Sequence, residues 1–516
     1  MPPDMIQRPS RRHILSGAAL TLLASSAARA GAGSTDEAAQ TGVSSGGGDG
    51  LPLLEPAWRD ATPRSISGKL QDVVSVLDFI PAAEHAAIRE RSSTRDVARY
   101  LQAAVDHIAA AGGGELFVPA GRYVCGGPVT LCKNLHLRGA GKAAAHIQFT
   151  HRGSGVPDGS GLRLIQPSNS STAAYTKLSD LNVEMLDRSN RGACFYDNCS
   201  TFVTLRDCIF AGGRYGVVFD QTEVSGIYSC DLSGQLAGGA GLWIVNGPDI
   251  TPANQGGFTN QITVDHNCQF NHGPAYAVVD DGGESHYFGN NNVNGGGMRF
   301  AGCSNLTIMG GEYESVAGRP TMTFAATTLA GNPVGGCAVV MMNGIITQPS
   351  GQPCIHIASL RLLNITRMQL TASGQGVAGH ITGAGNCGYI VARQNANSNN
   401  PELPVFDGYA NGGHDEDGLV PIFTNNSTGF TLPIAYYNAM VQTVASSPVT
   451  VTVPANSSLP FPVGTQLTIE QFGAGPVSLR AARGVQLDGT LATTARHQVL
   501  ALLKTAPDRW LATRKA

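Results

Sequence analysis

The sequence predicts an all-β protein: a single-stranded, right-handed parallel β-helix with an N-terminal capping helix and a small C-terminal β-module. Three observations carry this expectation. Four stretches, 193–210, 215–232, 276–293 and 296–313, lie over one another without a gap. The clearest pair is YGVVFDQTEVSGIYSCDL against YAVVDDGGESHYFGNNNV, and self-similarity at such a period marks a solenoid. Within each stretch apolar residues alternate and Gly, Asn, Val and Ile dominate, which is strand periodicity rather than helical periodicity. Finally, 65 glycines and only 14% charged residues among 516 suit tight corners and stacked rungs. Such a composition excludes a charge-rich disordered chain.

Residues 1–30 read as an export signal. Ser10-Arg11-Arg12-His13-Ile14-Leu15 precedes an apolar stretch from Ala18 to Ala24, and Ala28-Arg29-Ala30 supplies a small-x-small cleavage site. The arginine pair resembles a twin-arginine signal, which exports folded proteins; an ordinary secretory signal is the alternative. The expected location is the periplasm or the exterior. Residues 31–64, rich in Gly, Ser, Ala and Pro, read as a flexible spacer. Thr94 then reads as a helix N-cap. Val97, Tyr100, Leu101, Ala104 and Ile108 follow at helical spacing, and Gly112-Gly113-Gly114 ends the helix. A helix here has a purpose, because the first rung of a β-helix exposes unpaired strand edges. The coil is expected over residues 65–435. Residues 436–516 change character, with several short strands separated by turns, and form a β-rich module of their own.

The segments VSVLDFIP, TRDVARYLQAAVDHIAAAGGG, GELFVPAGRY and NLHLRGAG resemble the first turns of the pectate-lyase-like β-helix superfamily. More narrowly they resemble its branch of bacterial exopolysaccharide depolymerases and phage tailspikes. The specific match covers about residues 72–150, and the rungs to about 395 match in pattern only. The resemblance implies cleavage of acidic or complex polysaccharides by hydrolysis or β-elimination. The C-terminal segment is similar to small modules of phage fibre and spike proteins. That similarity implies sugar binding or a homotrimer; a plain end cap is the other reading. Polygalacturonases of this fold carry Asn-Thr-Asp, Asp-Asp, Gly-His-Gly and Arg-Ile-Lys. Of these only Asp280-Asp281 is matched here. Calcium-dependent pectate lyases use an arginine with basic neighbours on a strand, for which Arg299 and Arg319 are candidates by position only, so neither named family is supported and the substrate stays open.

A net charge of −3 leaves no electrostatic footprint for nucleic acid. No apolar run in the mature part is long enough to span a membrane. The cysteine count is odd, at 11. Cys208, Cys230 and Cys268 share one repeat position and so read as buried thiols in a ladder. Bridges between Cys125 and Cys132 or between Cys194 and Cys199 are the alternative.

Two places could carry chemistry. Along one sheet, outward columns run Asp231, Gln269, Asn292, Glu312 and Ser233, Asn271, Asn294, Glu314. Glu312 and Glu314 lie two apart on a strand, roughly 6.5–7 Å between Cα atoms, and could act as acid and base on a glycosidic bond. At a corner, Asp220 and Glu223 of one rung match Asp281 and Glu284 of another. Between those rungs an insertion, NGPDITPANQGGFTN, is expected to wall a groove. With one rung intervening, Asp220 and Asp281 would stand about 9–10 Å apart, near the upper end for inverting hydrolysis. Trp243 and Tyr287 are the aromatic residues expected to stack on sugar, and His286 is expected to face solvent and bind hydroxyls. No cofactor is required; calcium stays open through Asp280, Asp281 and Glu284. The expected protein is therefore an exported glycoside hydrolase acting on an exopolysaccharide or pectin-like glycan. A lyase, or a glycan-binding protein without catalysis, is the alternative.

Overall fold

The computed structural model describes residues 73–515 apart from 167–171, 235, 247–258, 272–275, 302, 316–317, 326–327, 330–331, 334–336, 350, 374–376, 398–402, 409, 411–413, 417–421, 434–435 and 437–438. Before residue 73 it describes only three short strands, Val43–Ser45, Pro52–Leu54 and Arg64–Ser65. These pair antiparallel in a unit of their own; the first two lie within the segment expected to be a flexible spacer and the third crosses its end at residue 64. The export signal at 1–30 lies outside the described residues.

From residue 74 the chain winds through three parallel sheets of 10, 15 and 11 strands. One full rung consists of Tyr215–Asp220 in the first sheet, Glu223–Tyr228 in the second and Asp231–Ser233 in the third. The next rungs are Ala240–Val245, Asn260–Asp265, Gln269–Asn271, and then Tyr276–Asp280, Gly283–Gly289, Asn292–Asn294. The coil expected from the repeat, and from the resemblance, is the coil observed. Its register is also the expected one. Phe210 lies opposite Leu232, Leu232 opposite Phe270, Phe270 opposite Val293 and Val293 opposite Tyr313. All five side chains are buried in the axial core. Period-2 geometry puts every second residue inside, and each such aromatic or aliphatic side chain contributes about 1.5–3 kcal/mol by leaving water.

The cysteines fill this core as thiols. All 11 are free, and all but Cys132 are buried. Cys208 and Cys230 donate to the carbonyls of Arg206 and Tyr228, two residues back. They plug the corner between the second and third sheets while satisfying their weak donor. Neither alternative bridge forms.

The capping helix spans Ala98–Ala110 and buries Leu101, Ala104, Val105 and Ile108 in the main core. Its N-cap is not Thr94. Asp96 accepts the Ala98 N–H at 2.9 Å and supplies the first-turn partner instead. A second, shorter helix, Ala82–Arg89, precedes it. Among the described residues no helix is long and apolar enough to cross a membrane.

The coil's last strand is His414–Glu416, and the C-terminal module begins earlier than residue 436. Ile422–Asn425 already pairs with Met440–Thr443, and Leu432 sits in the module's core with Val441, Val451, Ile469, Leu500 and Trp510. Its first strands continue to pair in parallel, whereas Val499–Ala506 and Arg509–Lys515 close it as an antiparallel hairpin.

Candidate functional site

The corner between the first and second sheets gathers polar and aromatic groups around Asp281. On the first sheet Trp243 faces outward between Val218 and Val279, and Arg299 follows Val279 in the same column. Asp281 ends the strand Tyr276–Asp280, its N–H donating to the Ile244 carbonyl at 2.8 Å. The Trp243 indole N–H donates to Asp281 Oδ2 at 2.9 Å, and the Arg299 guanidinium donates to Oδ1 at 2.5 Å. Both oxygens are therefore fixed while the carboxylate stays 27% exposed. Tyr215 stacks on Trp243 with ring centroids 4.7 Å apart. The Arg214 guanidinium lies over the Tyr215 ring, and that of Arg319 lies 4.2 Å over Tyr276. Burial pushes the Tyr215 hydroxyl up from its usual range. The result is an aromatic face edged by three arginines, with one oriented carboxylate in it.

Beneath this face a buried pair braces the turn. Asp280 points inward and receives His286 Nδ1 at 2.6 Å, with both side chains fully enclosed. Its second oxygen accepts the Gly282 N–H. Gly283 has φ +140°, and a Cβ there would stand 2.4 Å from His286 Nε2, so only glycine closes this turn. His286 is thus not the solvent-facing imidazole expected from sequence. It occupies an inward column between Ile262 and Leu306 and cannot touch a polysaccharide.

Asp220 lies opposite Val245, and Asp280 opposite Ile244. Asp281 therefore aligns with Val245, and one rung separates it from Asp220, as the repeat implied. Asp220 is more enclosed, at 8% exposure, and accepts the Tyr196 hydroxyl at 2.8 Å. Next to it Asp197 points into the core, where burial pushes its carboxyl up to about 7. The Thr222 hydroxyl donates to Asp197 at 2.6 Å. Glu223 and Glu284 flank Asn260 on the second sheet, and the Asn260 amide donates to Glu284 at 3.2 Å. The insertion itself lies outside the described residues except at its base. There Thr259 ties back to the Asn246 side chain and the Val245 carbonyl, both at 2.7 Å.

The other candidates stand elsewhere. Glu312 and Glu314 project from the third sheet, in register with Asn292 and Asn294. Asp231, in the same column, pairs with Lys142 at 3.1 Å. Tyr287 lies on the outer face of the second sheet, opposite Thr263 and Thr307, away from the Asp281 cluster. The three acids considered for calcium do not converge. Asp280 turns inward, Asp281 turns toward Trp243 and Arg299, and Glu284 turns toward Asn260. Among the described residues no group of three or more acidic, histidine or cysteine side chains is arranged to hold a metal ion. Sequence reasoning missed Tyr215 and Tyr276, and it placed Arg299 by resemblance alone. Once the rung at 240–245 is set in register, the column Trp243–Val279–Arg299 points to the cluster.

No protein family and no curated relative matches the sequence. The chain is similar to several solved structures. One is a tailspike protein of an Escherichia coli bacteriophage in complex with a pentasaccharide, 12% identical over 90% of this chain and 96% of that chain, with a TM-score of 0.49. Another is the A-module of an Azotobacter vinelandii mannuronan C-5 epimerase, 17% identical over 67% of this chain and 95% of that chain, with a TM-score of 0.48. A third is PfbA, a surface adhesin of Streptococcus pneumoniae, 11% identical over 86% and 98%, with a TM-score of 0.42. At these identities the site is read from this chain's own residues.

Proposed function

We propose that the protein is an exported enzyme that binds a polysaccharide on the outer face of the first sheet and cleaves it at the Asp281 corner. One observation supports this reading above the others: a partly exposed carboxylate held by an indole N–H and a guanidinium, set beside Tyr215 stacked on Trp243, with Tyr276 packed against the same cluster. Sugars present apolar CH faces that lie on aromatic rings, while fixed polar groups orient their hydroxyls. A coil offers the same face rung after rung, which suits a long chain.

In hydrolysis Asp281 faces the reacting centre and Asp220 supplies the second carboxyl. One activates water and the other protonates the leaving oxygen. Their separation of about two rungs, roughly 9–10 Å between Cα atoms, leaves room for that water. Glu223 and Glu284, at the start of second-sheet strands, line neighbouring positions for sugar hydroxyls, whereas Asn292 stands on the third sheet. The three arginines favour one alternative reaction. If the substrate is a uronate, Arg299 or Arg319 neutralises its carboxylate and β-elimination replaces hydrolysis. The test is a combined reducing-end and 235-nm absorbance assay on the producer's own exopolysaccharide. New reducing ends alone mean hydrolysis, and both signals mean elimination. Binding without either signal leaves a glycan-binding surface protein.

A further inference from the structure

A second cluster lies on the outer face of the second sheet, four strands before the Asp281 corner. Its strands are Gly114–Val118, Leu135–Gly139 and Lys177–Ser179 on successive rungs. Register sets Glu115, His136 and Lys177 in one column, and Arg138, Ser179 and Arg206 in the next. His136 reaches diagonally between the columns. Its Nε2 lies 2.9 Å from Ser179 Oγ, and its Nδ1 lies 3.2 Å from Glu115 Oε2. A single tautomer satisfies both contacts: Nδ1–H donates to the carboxylate and Nε2 accepts the serine hydroxyl. The Arg138 guanidinium donates twice to the other Glu115 oxygen, at 2.9 and 2.7 Å, and so fixes the acid.

We infer that Ser179, His136 and Glu115 form an acyl-transfer site that removes small O-acyl groups, of the acetyl class, from alcohol esters. The order hydroxyl, imidazole, carboxylate, with the base oriented by the acid, is recognised by geometry and not by position in a sequence. Burial lowers the affinity of His136 for a proton, with Lys177 and Arg138 acting in the same sense. Glu115 and Asp180 oppose them. The imidazole is thus available as a base at neutral pH. Ser179 is only 3% exposed, which selects a small acyl group. Lys177, two residues before Ser179, and Arg206, opposite it in register, put positive charge on this face of the sheet, the sign a tetrahedral oxyanion needs.

In the first step Ser179 Oγ attacks the ester carbonyl carbon and its proton passes to His136 Nε2. The ester C–O bond then breaks, and the alcohol leaves with that proton. Water attacks the acyl-serine, giving one proton to His136. The carboxylic acid departs and the serine regains its hydrogen. Glu115 acts through His136 as a positioning residue.

The test uses the full chain with a fluorophosphonate probe and with p-nitrophenyl acetate. The expected result is one covalent adduct, located by mass spectrometry on the peptide bearing Ser179, and saturable release of nitrophenolate. Ser179→Ala and His136→Ala should abolish both while circular dichroism and melting stay those of the wild type. Glu115→Gln should lower turnover by about 100-fold, the scale of lost acid–base assistance. It should also move the rising limb of the pH profile to lower pH, since the charge that raises the imidazole is gone; a merely structural role would leave that limb in place. A folded wild type that forms no adduct on Ser179 overturns the inference, and so does an adduct that persists in His136→Ala. Because the adduct is read on the wild type, loss of glycan cleavage at Asp281 has no bearing on it.

Discussion

The Asp281 corner and the Glu312–Glu314 column are both outward acids on one regular coil, yet they differ in what surrounds them. Glu312 and Glu314 continue columns of amides, with Tyr313 between them turned into the core. Asp281 leaves its strand at a glycine-closed turn and is held from two sides by residues of neighbouring rungs. A solvated ladder requires only polarity at alternate positions. A corner can converge groups from three rungs, so chemistry is favoured there.

The contrast can be strained in four ways. The largest effect should come from under the third sheet. Phe270→Ala empties an inward position between Leu232 and Val293 and should cost about 3–5 kcal/mol in urea unfolding. Next, Asp281→Asn keeps size and hydrogen bonding but removes the titrating charge. Glycan cleavage should fall at least about 100-fold, with stability changed by less than about 0.5 kcal/mol. If cleavage persists in Asp281→Asn and vanishes in Glu312→Gln, the groove lies on the third sheet.

The third test is one of pH. Asp197 is held at about 7 when folded, against about 3.9 unfolded. The folded state therefore keeps a proton that the unfolded state releases. The stability this gives is complete below about pH 4 and is lost as pH rises through about 7. Asp197→Asn should flatten that decline, on the order of several kcal/mol between pH 4 and pH 8, read from urea midpoints. An unchanged slope would mean that another group governs it. The smallest effect belongs to Glu312→Gln, which should move the unfolding midpoint by less than about 0.5 kcal/mol and leave turnover unchanged.

Much of the coil was legible because side-chain period and rung period coincide over gapless stretches. From Phe210 to Tyr313 one column could be read directly. The site was less legible because its partners lie on different rungs. Trp243 and Asp281 are 38 residues apart, and the insertion after Val245 interrupts the alignment that would have set them side by side. His286 misled as a polar residue among acids, although its register between Ile262 and Leu306 marks an inward position. Thr94 failed as a cap because Asp96, two residues on, has the better reach. Ser179, His136 and Glu115 carry no local signal at all, since their contacts run diagonally across three strands.

The reversal of strand direction at the C-terminus has a consequence for assembly. A parallel coil has no intrinsic length: each rung presents the next with the same row of donors and acceptors, and another molecule's rung can serve as well as its own. In the C-terminal module Val499–Ala506 runs antiparallel to both Gln466–Gln471 and Arg509–Lys515, which breaks that sameness, because antiparallel and parallel ladders space their partners differently. At the opposite end the helix Ala98–Ala110 covers the opening rung. The coil thus runs from a helical lid to a module in which the strand direction reverses, and the uniform row of parallel partners stops there.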